Sequence, residues 1–198
     1  MLTNPHIFSN LILSLTGAFI FYKYYNLQPL TNRLLWGFFL LPISVNALVE
    51  LFVFAGLDIS DNLQNIIRDS ERTLGAVCLV SASWCVIMRY EAKNLMLFST
   101  ISLGLLLLFC ITWYHVQFMG LIIQPFCIIV TLLISCLGLG NKQKSALWVI
   151  VSMTLLALST KSHRIPLPMD PIDINRYMTV LAVICFGNAI RDEYKILF

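Results

Sequence analysis

Charged side chains are scarce in this chain: they make up 12% of its 198 residues, while 59% are hydrophobic. Ordinary soluble domains carry about 25% charge and about 45–50% apolar residues. A water-soluble fold of this length has too little interior to hide so much apolar surface. The formal charge of +3 is small and dispersed, with no basic block and no Gly-rich phosphate loop, so nucleic acid is excluded as a partner. Cys78, Cys85, Cys110, Cys127, Cys136 and Cys185 all lie in apolar runs and form no CxxC pair; each reads as a free thiol acting as a small hydrophobe. His6, His115 and His163 make no HxxxH or HExxH pair, so neither a helix-borne zinc site nor another metal or cofactor is expected. The many serines lack a GxSxG frame and a well-placed histidine base, which argues against nucleophilic catalysis. No Lys or Arg precedes the first apolar run and no small-residue cleavage signature follows it. That run is therefore expected to stay as a transmembrane helix rather than to be removed as a signal peptide.

What the chain does have is apolar runs long enough to cross a hydrocarbon core of roughly 30 Å as helices. Seven fit, at about 7–25, 34–56, 73–88, 95–113, 116–138, 146–159 and 174–190. Backbone polar groups in lipid must be satisfied within their own segment, which excludes an open sheet. The expected fold class is all-α: one bundle of seven transmembrane helices filling residues 1–198, with no separate soluble domain and no convincing internal repeat.

Between the runs, Tyr22-Lys23-Tyr24-Tyr25 forms an aromatic and basic edge suited to a headgroup boundary. The stretch Leu57 to Arg72 is the most charged loop, and its Leu63, Ile66 and Ile67 share one side behind a cap at Ser60. That pattern predicts a short helix lying on the membrane surface. The fourth run is the least polar and a candidate for lipid contact. Thr160 to Pro171 is a proline-rich connector, and Asp170-Pro171 or Asp173 is expected to start the last helix.

Basic residues mark the cytoplasmic side of a polytopic protein. All thirteen Lys and Arg divide between the two sets of loops, five on the N-terminal side and eight opposite. The N-terminus is thus expected outside and the C-terminus in the cytoplasm, in a plasma or bacterial inner membrane rather than an organelle.

Pro42, Asn46 and Glu50 recur at i, i+4 and i+8 on one face of the second run. A carboxylate in the hydrocarbon costs several kcal/mol unless it is paired, neutralised or hydrated, so Glu50 should face the bundle interior. It is either a hydrogen-bonded tie between helices or a proton-titrating or cation-binding group in a pocket, unless its segment ends early enough for it to reach water. The orientation puts Glu50 roughly 9 Å below the outer end at 1.5 Å per residue. Asn10, Ser81, Gln117 and Gln124 fall in the same half, and His115, Arg72, Lys161 and Arg176 near its rim. The expected ligand-binding set is Glu50, Asn46, Gln124, His115, Ser81 and Arg176. Bends at Pro42 and Pro125 would free carbonyls to line the same cavity. Gly37, Gly75, Gly104, Gly120 and Gly187 read as close-packing points.

With seven helices, an outside N-terminus and the opening Phe8-Ser9-Asn10-Leu11, the chain resembles the seven-helix membrane hydrolase superfamily of alkaline ceramidases and progestin/adipoQ-type receptors. The stretch Ile172-Asp-Ile-Asn-Arg176-Tyr stands where that superfamily carries a metal-binding histidine pair. The resemblance implies the fold; the histidines are absent here, so it does not bring zinc-dependent amide hydrolysis with it. The expected function is non-catalytic: binding or transport of a small or lipidic ligand through an outward-facing polar pocket around Glu50, with the lipid bilayer and membrane proteins as further partners. A lipid-modifying membrane enzyme and a structural subunit of a larger membrane complex are the alternatives.

Overall fold

The computed structural model describes residues 5–25, 28–114, 117–140, 143–164 and 168–197, and these are helical with no strand among them. Helix α1 (Pro5–Tyr25) is followed by α2 (Leu30–Phe54), α3 (Asp61–Ser70), a π turn (Glu71–Gly75) and α4 (Ala76–Ile87). Helices α5 (Asn94–Tyr114), α6 (Gln117–Gly140), α7 (Lys144–Ser159) and α8 (Pro171–Leu197) complete the chain, with a 3-10 turn at Ser162–Arg164 before the last. Four segments, Pro5–Tyr24, Leu30–Phe54, Asn94–Trp113 and Met119–Gly140, are long and apolar enough to cross a membrane, and Lys144–Ser159 is apolar but shorter. Their length and composition mark a helical membrane protein.

Successive long helices alternate in direction. His6 at the start of α1 meets Phe54 at the end of α2, ring centroids 5.0 Å apart, and also Asp173 at the start of α8. At the opposite end Arg89, just past α4, meets Glu193 near the end of α8. Helices α1 and α8 therefore run parallel. The main packed pairs are α1 with α2 and α8, α7 with α6 and α8, and α4 with α2 and α6, while α5 lies against the π turn and α4. Of the four long apolar segments, α5 is the least buried.

The expected surface helix is not separate. Ser70, Glu71, Gly75 and Ala76 all keep right-handed helical dihedrals, so α3, the π turn and α4 form one continuous run from Asp61 to Ile87. Ser60 does sit at the N-cap, without a side-chain capping bond. A π turn widens a helix by one residue and shifts the face it presents. Here it sits against α2 just before Pro42: Pro42 has no N–H to give to the Phe38 carbonyl, and a Cβ on Gly75 would lie 3.9 Å from that oxygen and 3.8 Å from that of Phe39.

The core between α2 and α8 is aromatic. Trp36, Phe39 and Phe186 meet edge to face with centroids 5.3–5.8 Å apart, the arrangement ring quadrupoles favour. Small residues bring helices together elsewhere. A Cβ on Gly17 of α1 would lie 2.1 Å from Ser44 Oγ of α2, and one on Gly104 of α5 would lie 3.0 Å from Leu74 Cα. Two of the glycines expected at close contacts, Gly75 and Gly120, have only ordinary van der Waals neighbours. At the far end of α2, Gly56 takes a φ of 92°, and Leu57 N–H reaches back to the Phe52 carbonyl, closing a Schellman stop.

Candidate functional site

On the inward side of α2, Asn46 is buried and Glu50 half-buried, while Leu41, Val45, Leu48 and Phe52 cover the exposed side. The two polar residues are one turn apart and serve different neighbours. Asn46 Nδ2 donates to Glu71 Oε2 at 2.6 Å, tying α2 to the π turn. Glu50 Oε2 accepts from Arg176 Nη2 on α8. Arg176 is 9% exposed, and its Nε is buried without a hydrogen-bond partner. Arg176 and Glu50 also act electrostatically on Glu71, with a weaker pull from Arg72. Glu50 thus pairs with a buried guanidinium, and Glu71, held by Asn46, lies within electrostatic reach of the same group.

Three residues toward the start of α8, Asp173 opens a second polar group on the same side of the helix. Its Oδ1 accepts from Ser9 Oγ at 2.6 Å and lies 3.0 Å from His6 Nδ1. His6 Nε2 is 3.8 Å from Asp170 Oδ2. Asn10 turns its amide N–H back to the His6 carbonyl at 2.9 Å and keeps a buried, unpartnered Oδ1. Asp170 also caps α8, accepting from Ile172 N–H at 2.9 Å. The α8 N-terminus therefore presents Asp173 to α1 and Arg176 to α2, and joins both groups into one layer across three helices.

The residues expected at the site divide clearly. Glu50, Asn46 and Arg176 come together there. Ser81 does not: its hydroxyl bonds to Thr100 at 2.9 Å, between α4 and α5 and toward the opposite end. Gln124 is half-buried on α6, and among the described residues no hydrogen bond joins it to the layer. His115 and the side chain of Gln117 lie outside the described residues. Glu71, Asp173, Ser9 and His6 were missed. Glu71 read as one more charge in the most charged loop, though it falls twenty-five residues from Asn46 on a helix antiparallel to α2. His6 and Ser9 lie more than 160 residues from Asp173, a separation no spacing rule bridges.

Chemically the layer holds protons and charge. Ser9 is fully buried and gives its proton to the same Asp173 oxygen that faces His6. The Asp173 carboxylate is thus the common neighbour of the hydroxyl and the imidazole. Among the described residues no group of three His, Cys, Asp or Glu is arranged to hold a metal. No family model matches the chain, and no curated protein or solved structure matches it.

Proposed function

We propose that this protein is a non-catalytic, seven-span membrane protein that binds or transports a small ligand bearing a cationic group, or a proton, at the Glu50–Glu71–Arg176 layer. The alternating helix directions support the seven crossings, with the continuous α3–α4 run supplying the third. The loop charges support an outside N-terminus, a cytoplasmic C-terminus and a plasma or bacterial inner membrane. On this orientation the layer lies near the outer surface: Glu50 is four residues before Phe54, the last residue of α2, about 6 Å along the axis.

The observation that carries the reading is a second carboxylate, Glu71, within electrostatic reach of the buried Glu50–Arg176 pair. Arg176 pairs with Glu50, while Glu71, bonded to the Asn46 amide and pulled on by Arg176 and more weakly by Arg72, gains from a proton or an incoming cation, since burying a charge is costly. Glu50 retains some exposure, which gives a ligand a way in.

Thermal unfolding of the purified protein against a panel of small amines, zwitterions and monovalent cations tests this, together with infrared titration of its carboxyl bands. The reading expects at least one compound to raise the melting temperature in wild type but not in Glu71→Gln, and a carboxyl band that titrates in wild type and is lost in the same variant. If no compound stabilises the protein and no such band titrates, the layer is a tie between helices and nothing more.

A further inference from the structure

A second feature lies at the other end of α1 and α8. A cavity of about 570 Å³ opens between them, within the roughly 300–1,000 Å³ typical of sites for small molecules. Leu15, Phe19 and Ile184 form its apolar walls, and Lys23, Thr16 and Asn188 supply its polar groups. Gly187 forms part of its floor, where a Cβ would come within 3.0 Å of Tyr24 Cε2 and 3.2 Å of Ile20 Cγ2. Among the described residues, Lys23 is the only charged one in this lining. Its ammonium is held 5.6 Å from the Phe19 ring and 5.7 Å from the Tyr24 ring, contacts that favour a cation. The nearest acids along α8 are committed elsewhere: Asp192 accepts from Trp148, and Glu193 accepts from Ser145 and is ion-paired with Arg89.

We infer that this cleft binds one anionic phospholipid from the surrounding leaflet, its phosphate at Lys23 and an acyl chain along Leu15, Phe19 and Ile184. The mouth is framed by exposed apolar side chains, with Leu15 and Phe19 both 61% exposed, so the occupant must bring hydrocarbon as well as negative charge. A free phosphate satisfies only the lysine. Tyr22, Lys23 and Tyr24 end α1 as an aromatic and basic edge, the composition found at headgroup level. The inference rests on the chain sitting in a bilayer and is independent of any ligand at the Glu50 layer.

Native mass spectrometry of the full-length protein in detergent is the test, titrated with phosphatidylglycerol or phosphatidylcholine of identical acyl chains. Wild type is expected to retain one phosphatidylglycerol with about five-fold preference, the worth of a single lysine beside an anionic headgroup. Lys23→Gln should abolish the preference and Lys23→Arg keep it. Ile184→Trp, which fills the wall from an exposed position, should reduce retention of both lipids, whereas Glu71→Gln should change neither. Equal retention of the two lipids by wild type, an unchanged preference in Lys23→Gln, or displacement by inorganic phosphate would overturn the assignment.

Discussion

Asn46 and Glu71, on adjacent antiparallel helical runs, are joined by a 2.6 Å hydrogen bond from amide nitrogen to carboxylate oxygen. Asn46 is 4% exposed, so its amide makes this bond away from water. Substituting Asn46 by Leu should leave the acceptor short of a partner and cost about 1–3 kcal/mol. Asn46→Asp should cost more, and increasingly so as pH rises, because it sets a third carboxylate beside Glu71 and Glu50. Unfolding midpoints of the two variants over a pH series check both the size and the pH slope. A flat pH response for Asn46→Asp would show that the two side chains do not meet.

The pair between Glu50 and Arg176 calls for a different measurement, since each residue also carries solvation terms of its own. Breaking a buried pair from one side costs about 3–5 kcal/mol, and the partial exposure of Glu50 places the loss toward the lower figure. Glu50→Gln and Arg176→Gln should each destabilise, and the double variant by less than their sum, with a coupling of about 0.5–3 kcal/mol. Reversible unfolding of all four proteins in the same detergent provides the cycle. Strict additivity would mean that the pair contributes nothing.

Glu50 and Arg176 were both legible as site candidates, because a carboxylate inside an apolar run demands polar company, but Arg176 was placed at the rim as one neighbour among several and the pairing itself was not read. Depth alone does not say which way a helix is turned about its axis. Ser81 and Gln124 were placed by depth; Ser81 bonds Thr100 instead, and no hydrogen bond among the described residues joins Gln124 to the layer. Glu71 escaped because the charged stretch around it read as a loop, whereas the chain stays helical from Asp61 to Ile87 and passes through a π turn beside the Pro42 stretch of α2. The helices themselves were legible from apolar length, apart from that third run. His6, Ser9 and Asp173 are a product of α1 and α8 lying parallel, a relationship that exists only once the bundle has closed.

Gly17 and Ser44 test how tightly α1 packs on α2. The position of a Gly17 Cβ is taken by Ser44 Oγ, at 2.1 Å, but lies at an ordinary 3.4 Å from Ser44 Cβ. Gly17→Ala should therefore cost about 1–3 kcal/mol, as overpacking does. Ser44→Ala alone gives up only a bond to the Leu40 carbonyl of its own helix and should cost little. Combining the two should recover most of the loss, because the obstructing oxygen is gone. Melting temperatures of the two single variants and the double variant decide it, and no recovery in the double would mean that the helices are held apart by something other than this contact.

Arg89 shows a local cost carried for a tertiary gain. Its φ of 52° places it in the left-handed region, about 1–2 kcal/mol unfavourable for a residue with a Cβ. The Tyr90 N–H returns to the Cys85 carbonyl at 3.0 Å, so Arg89 fills the position in a Schellman stop that glycine usually takes. Its guanidinium is the reason a glycine is not there: Nε lies 2.5 Å from Glu193 Oε1, while Ser145 holds the other carboxylate oxygen at 2.8 Å, joining the ends of α4 and α8 to the start of α7. Arg89→Ala loses the pair and keeps the strained backbone; Arg89→Gly loses the pair and removes the strain. Arg89→Ala should thus be the less stable of the two by about 1 kcal/mol. In a Glu193→Gln background the pair is already broken, so Arg89→Gly should become neutral or stabilising relative to that background. Thermal unfolding of these variants in one detergent measures the balance, and a Gly variant no more stable than the Ala variant would show that the left-handed turn carries no penalty in this protein.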